Sequence, residues 1–171
     1  MKPTEFTNPR FDFSFVERVA VLPFENLSED RQAGARATRL TITELLSSGS
    51  VEVVEPGQVL TALSELPGAR VGRVAPPNTQ EIVSLGKTLG VQAVLVGSVT
   101  QSESFRSGAV TIPVVTLDVH MVETETGATV WAATHTEKGG SVGARVLGTG
   151  GQPISETTRR CVRQLLATLV K

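Results

Sequence analysis

Residues 117–131 read LDVHMVETETGATVW, a strand, a turn and a returning strand within fifteen residues. Val115, Leu117, Val119 and Met121 alternate with Thr116, Asp118 and His120, the period-two pattern of a strand with one buried and one polar face. Glu123-Thr-Glu-Thr-Gly127 supplies a turn, and residues 128–137 return as an antiparallel partner that carries the only Trp of the chain, Trp131. A lone Trp in an alternating strand belongs to the core or covers the sheet. Upstream, Val91-Gln-Ala-Val-Leu-Val-Gly97 is an apolar run of the kind buried on both faces. It continues as a polar strand to Phe105, and Arg106-Ser-Gly108 turns it back. The second half therefore reads as three strands joined by hairpins.

The first half alternates strand and helix. Arg18-Val-Ala-Val-Leu-Pro-Phe24 is a short buried strand stopped by Pro23, and Ser28 or Asp30 can cap a helix over residues 31–48 that ends at Gly49. Val51-Glu-Val-Val-Glu55 is the next strand. Helices are predicted at 58–66 and at 79–89, the latter capped by Asn78 and stopped by Gly90, with a Pro/Gly/Arg connector at 67–77 between them. A final helix over 153–170 opens on Pro153, with Ile154, Cys161, Val162, Leu165, Leu166 and Leu169 on one side and Arg159, Arg160 and Arg163 on the other. The fold class is α+β: a single mixed sheet, parallel in the first half and antiparallel in the second, packed with helices. Residues 1–16 hold four of the six Phe and read as an extended N-terminal arm, with Phe11-Asp-Phe-Ser-Phe15 alternating like a strand; residues 17–171 read as one domain.

Composition removes several functions. With 16 Lys and Arg against 17 Asp and Glu, the net charge of -1 offers no basic surface for phosphate backbones, so no nucleic-acid partner is expected. His120, His135 and Cys161 lack any metal-ligand spacing, and no strained nucleophile elbow of the GxSxG type occurs. Cys161 reads as a small packed helix residue. Glu123, Glu125 and Glu137 cluster about the last hairpin as a solvated acidic turn would. Neither catalysis nor a cofactor is expected. Apolar runs are too short for a spanning helix, and Met1-Lys-Pro-Thr-Glu has no apolar h-region, which leaves a cytosolic protein or a chain whose leader has been removed.

Two features stay unassigned by this elimination. Gly139, Gly140, Gly143, Gly148, Gly150 and Gly151 surround Val142, Arg145, Val146 and Leu147. Gly143 and Gly148 have Walker spacing, but Thr149 and Gly150 stand where the Lys and the Ser or Thr should follow. An apolar-plus-basic tip on a pliable base reads instead as a contact with a membrane, another subunit or its own domain. In the helix at 31–48, Ala33, Ala37 and Leu40 form one stripe and Ala35, Ile42 and Leu46 a second. So wide an apolar face suits a helix that is sunk in its domain or also meets a neighbouring subunit.

The stretches RVAVLPFENLSED (18–30), TELLSSG (43–49), VEVVE (51–55), LGVQAVLVGSV (89–99) and LDVHMVETETGATVW (117–131) resemble the TolB N-terminal-like and CsgG-like domains of bacterial envelope lipoproteins. The resemblance covers residues 18–170. The chain lacks the long insertions that form membrane-spanning hairpins in curli-secretion pores, and Gln32-Ala-Gly-Ala-Arg36 and the terminal helix resemble the PelC-like outer-membrane lipoproteins of Pel exopolysaccharide export. That resemblance implies a non-catalytic lipoprotein at the periplasmic face of the outer membrane, assembled as a higher-order homo-oligomeric ring such as a dodecamer. Implied partners are a β-barrel exporter, outer-membrane lipid and the polysaccharide. Where such proteins offer an aromatic before the last helix, this chain offers Val142, Val146 and Leu147. The second implied reading is a monomeric lipoprotein that binds or activates an envelope partner such as a peptidoglycan synthase or secretion component.

Overall fold

The computed structural model describes residues 1–67, 76–108, 110–140 and 153–169. Its order is β1 (Thr4–Thr7), β2 (Arg18–Val21), β3 (Glu25–Asn26), α1 (Ala33–Ser48), β4 (Glu52–Val53), α2 (Pro56–Ser64), α3 (Thr79–Leu89), β5 (Ala93–Ser107), β6 (Val110–Glu123), β7 (Thr129–Lys138) and α4 (Ile154–Leu169). All strands lie in one sheet of order β1-β7-β6-β5-β2-β4, with β3 also on β5. β2 runs parallel to β4 and β5, and β3 parallel to β5. β5, β6, β7 and β1 are successively antiparallel. The mixed α+β sheet expected from the sequence is present, divided where the pattern changes from alternating helix and strand to hairpins.

Strand alternation sends neighbouring residues to opposite faces. Val19, Val21, Ala93, Leu95, Val115, Leu117, Val119, Met121 and Trp131 pack with Ala33, Ala37 and Leu45 of α1 and with Cys161, Val162 and Leu165 of α4. Ala20, Leu22 and Val94 face the other way, against Val59 and Ala62 of α2 and Ile82, Leu85 and Leu89 of α3. Trp131 is fully buried and its indole N–H donates to the Thr168 hydroxyl at 3.1 Å. On the α2/α3 side, β6 and β7 carry polar residues: Thr116 and Thr136 hydrogen-bond at 2.9 Å, Thr134 bonds to Asp118, and His120 is exposed.

The predicted stops hold. Gly49 and Gly90 both cap helices with φ of 63°, a left-handed conformation open to glycine at little cost. Asn78 and Glu81 form a reciprocal capping box, Asn78 Oδ1 accepting from the Glu81 amide at 3.0 Å and Glu81 accepting from the Asn78 amide at 2.8 Å. Asn78→Ala should lower the unfolding free energy by about 1 kcal/mol, read as a shift in urea midpoint at constant slope.

Three local expectations change. Thr4–Thr7 pairs with Trp131–Thr134 as an edge strand; Thr, Phe and Thr suit a pleated edge, and β7 would otherwise expose its backbone donors and acceptors. Phe11–Phe15 is not a strand, because the Asp12 carboxylate accepts from the Ser14 amide at 2.9 Å and turns Phe13–Phe15 into a 3-10 helix. Helix α1 starts from Gln32 with no side-chain cap. Asp30 instead accepts from the Gln32 amide, from Arg36 at 2.7 Å and from Ser102 at 2.9 Å, pinning the loop to β5.

Candidate subunit interface

Among the described residues, Cys161, His135 and Glu123 could do chemistry but are engaged in structure. Burial pushes the Cys161 thiol up to about 12, reinforced by the negative charge of Glu137, and its Sγ lies 3.3 Å from the His135 carbonyl oxygen; a protonated buried thiol is a poor nucleophile. His135 is buried with Nε2 3.1 Å from Glu137. Asp118 and His120 project from the same polar sheet face, two residues apart, and no group of three or more His, Cys, Asp or Glu able to hold a metal occurs among the described residues. On α4, Arg159 and Arg160 pair with Glu156, and Arg163 reaches Glu44 of α1 at 3.1 Å, tying the two helices together.

Glu123 departs from the solvated acidic turn. It is buried, and its carboxylate accepts from the amides of Glu125 at 2.7 Å and Thr126 at 3.0 Å and from the Thr126 hydroxyl. Burial raises its pKa, but hydrogen bonds from Thr126, Glu125 and Ala128 outweigh that and leave the carboxyl below the ordinary glutamate value of 4.5. A depressed folded-state pKa contributes stability above the unfolded value that is lost as pH falls through the folded one. Glu123→Gln should therefore flatten the loss of stability on acidification below pH 4.5, measured by urea titration at several pH values.

Helix α1 buries Ala33, Gly34, Ala37, Thr41 and Leu45. At 100° per residue, Ala35, Ile42 and Leu46 fall together on its outer flank, on the side away from Glu44 and therefore away from α4. Ala35 is exposed, Ile42 is half-buried at the margin of the core, and Leu46 is 58% exposed. This flank stands over the β2–β4 end of the sheet. At the opposite end lies β1, exposed at every position, with Phe6 51% exposed. The two lateral sides of the molecule thus differ: one offers an aliphatic helix flank, the other an open strand edge with an aromatic. The sequence singled out the first; the edge residue Phe6 was hidden in what read as an arm, and only the Thr-Glu-Phe-Thr alternation between Pro3 and Pro9 pointed to it. The other sequence-predicted contact group, Val142, Arg145, Val146 and Leu147, lies outside the described residues.

No protein-family model and no curated protein sequence matches the chain. Solved structures share its fold. PelC of Paraburkholderia phytofirmans, solved as a dodecamer, superimposes with a TM-score of 0.65 at 18% identity, covering 98% of this chain and 97% of that one. The lipoprotein GNA1162 of Neisseria meningitidis gives a TM-score of 0.56 at 18% identity over 77% of this chain and 90% of its own. The C-terminal domain of LpoB from Salmonella enterica gives 0.51 at 19% identity over 70% of this chain and 81% of its own. The chain has the PelC-like fold, as its sequence led us to expect.

Proposed function

We propose that this protein is a non-catalytic lipoprotein at the periplasmic face of the outer membrane, which assembles into a homo-oligomeric ring and assists export of a Pel-type exopolysaccharide beside a β-barrel exporter. The observation that carries this reading is the extent of the likeness to PelC. It runs over 98% of this chain and 97% of that one, whereas GNA1162 and LpoB match over 77% and 70% of this chain. A ring needs a heterologous contact, two different surfaces on opposite sides of one protomer. The α1 flank of Ala35, Ile42 and Leu46 and the β1 edge with Phe6 are the two we assign to it. Val142, Arg145, Val146 and Leu147 are assigned to the outer-membrane lipid, with polysaccharide passing through or along the ring. Light scattering on the purified chain tests the assembly, and a higher-order mass is expected. A monomer that instead captures an envelope partner such as a peptidoglycan synthase would transfer the protein to the second reading.

A further inference from the structure

The strand register places several features at one end of the molecule. Thr4 pairs with Thr134 and Thr7 with Trp131, so the chain ahead of β1 leads toward the Lys138 end of β7. At that end β7 stops, with Lys138 opposite Val114, and α4 begins. The β5–β6 hairpin continues past it. On its flanks β7 reaches only Val114 and β3 only Val99, while the hairpin pairs on through Phe105↔Ile112 and Ser107↔Val110. Among the described residues its distal part is a two-stranded ribbon, an element that is marginal in water without further packing.

Alternation puts Phe105, Ile112 and Val110 on one face of this ribbon and Arg106 on the other. Phe105 is 49% exposed, and Val110 and Ile112 are half-buried. Lys2, Arg106 and Lys138 are exposed at this end and form no ion pair among the described residues. Arg106 on the reverse face and Lys2 and Lys138 nearer its base outnumber the exposed Glu103 that stands beside Phe105 on the apolar face. An apolar tip with this excess of cations is complementary to an anionic bilayer surface, where the ring and branched chains enter the acyl boundary and the cations meet headgroup phosphates.

We propose that the distal β5–β6 ribbon is a lipid-contacting element, with Phe105 and Ile112 seated in the headgroup–acyl boundary and Arg106 at the phosphate level. The inference rests on the outer-membrane reading above, because a membrane-linked segment ahead of Thr4 would hold this end toward the bilayer. Its partner is lipid, and a second copy of the chain is the competing occupant.

The test uses the purified chain with vesicles of phosphatidylethanolamine and phosphatidylglycerol. Phe105→Trp should show a blue-shifted emission quenched by brominated acyl chains, against a constant background from buried Trp131. The double variant Phe105→Asp/Ile112→Asp should lose vesicle co-sedimentation by at least about tenfold while keeping the circular dichroism and the lipid-free oligomeric mass of the parent. Absence of parental binding, unchanged binding in the double variant, or no quenching would each overturn the proposal. Loss of oligomeric mass in that variant would assign the ribbon to subunit contact instead. A lipid-free parent that is monomeric refutes the ring and leaves the vesicle result to be judged separately.

Discussion

Trp131→Ala is expected to lower the unfolding free energy by about 3–5 kcal/mol, the range for truncating a large buried aromatic. Trp131 has no exposed surface and sits on β7 within the core that α1 and α4 close over the sheet. Truncation leaves a cavity bounded by two helices and the central strands, which cannot all collapse into it. The indole N–H also vanishes, freeing the Thr168 hydroxyl, which still donates to the Leu165 carbonyl at 2.8 Å; most of the loss is therefore packing. Trp131→Phe separates the contributions by restoring most of the ring without the donor, and its cost should be clearly smaller. Urea unfolding followed by far-ultraviolet circular dichroism reads both variants. Because whole domains are stable by only about 5–15 kcal/mol, the Ala variant should show a markedly lower midpoint. An unchanged midpoint would mean that Trp131 is not in the core.

The second large effect concerns association. Leu46→Asp and Ala35→Arg place charges on the outer flank of α1, where the present side chains are exposed. In the isolated domain each change should be worth no more than about 0.5 kcal/mol. In a ring, each subunit contact would bury that charge without a partner, and the penalty would recur at every interface. The double variant should therefore fold with a parental melting profile and run as a monomer. Ile42 is left intact because it also packs against the core, so that lost assembly cannot be confused with lost folding. A double variant that stays fully assembled would move the contact off this flank.

Much of this fold could be read from spacing. The alternation at 115–121, the turn at 123–127 and the glycine stops at 49 and 90 each carry one strong local signal, and tertiary packing agrees with all of them. The failures have physical causes too. Phe11–Phe15 alternates like a strand, yet one carboxylate, Asp12, satisfies the Ser14 amide and tips the backbone into a turn. Thr4–Thr7 is too short to announce itself and becomes a strand only because β7 offers an open edge. Glu123 looked like turn decoration, because its burial depends on how residues 124–127 fold over it, a nonlocal outcome. For the proposed interface, helical periodicity was enough to set Ala35, Ile42 and Leu46 apart as a stripe separate from the buried one. Phe6 could not be matched to it, since their placement on opposite sides follows from strand order alone.

Mass in solution separates a ring from a lone protomer. Size-exclusion chromatography with multi-angle light scattering, run on the purified chain across a wide concentration range, is predicted to give one discrete higher-order oligomer, near twelve times the 18.1 kDa of the chain if its ring matches the PelC dodecamer. A species that stays at the monomer mass at the highest concentration would contradict the ring and, with it, the assignment of the α1 flank and the β1 edge as its two sides.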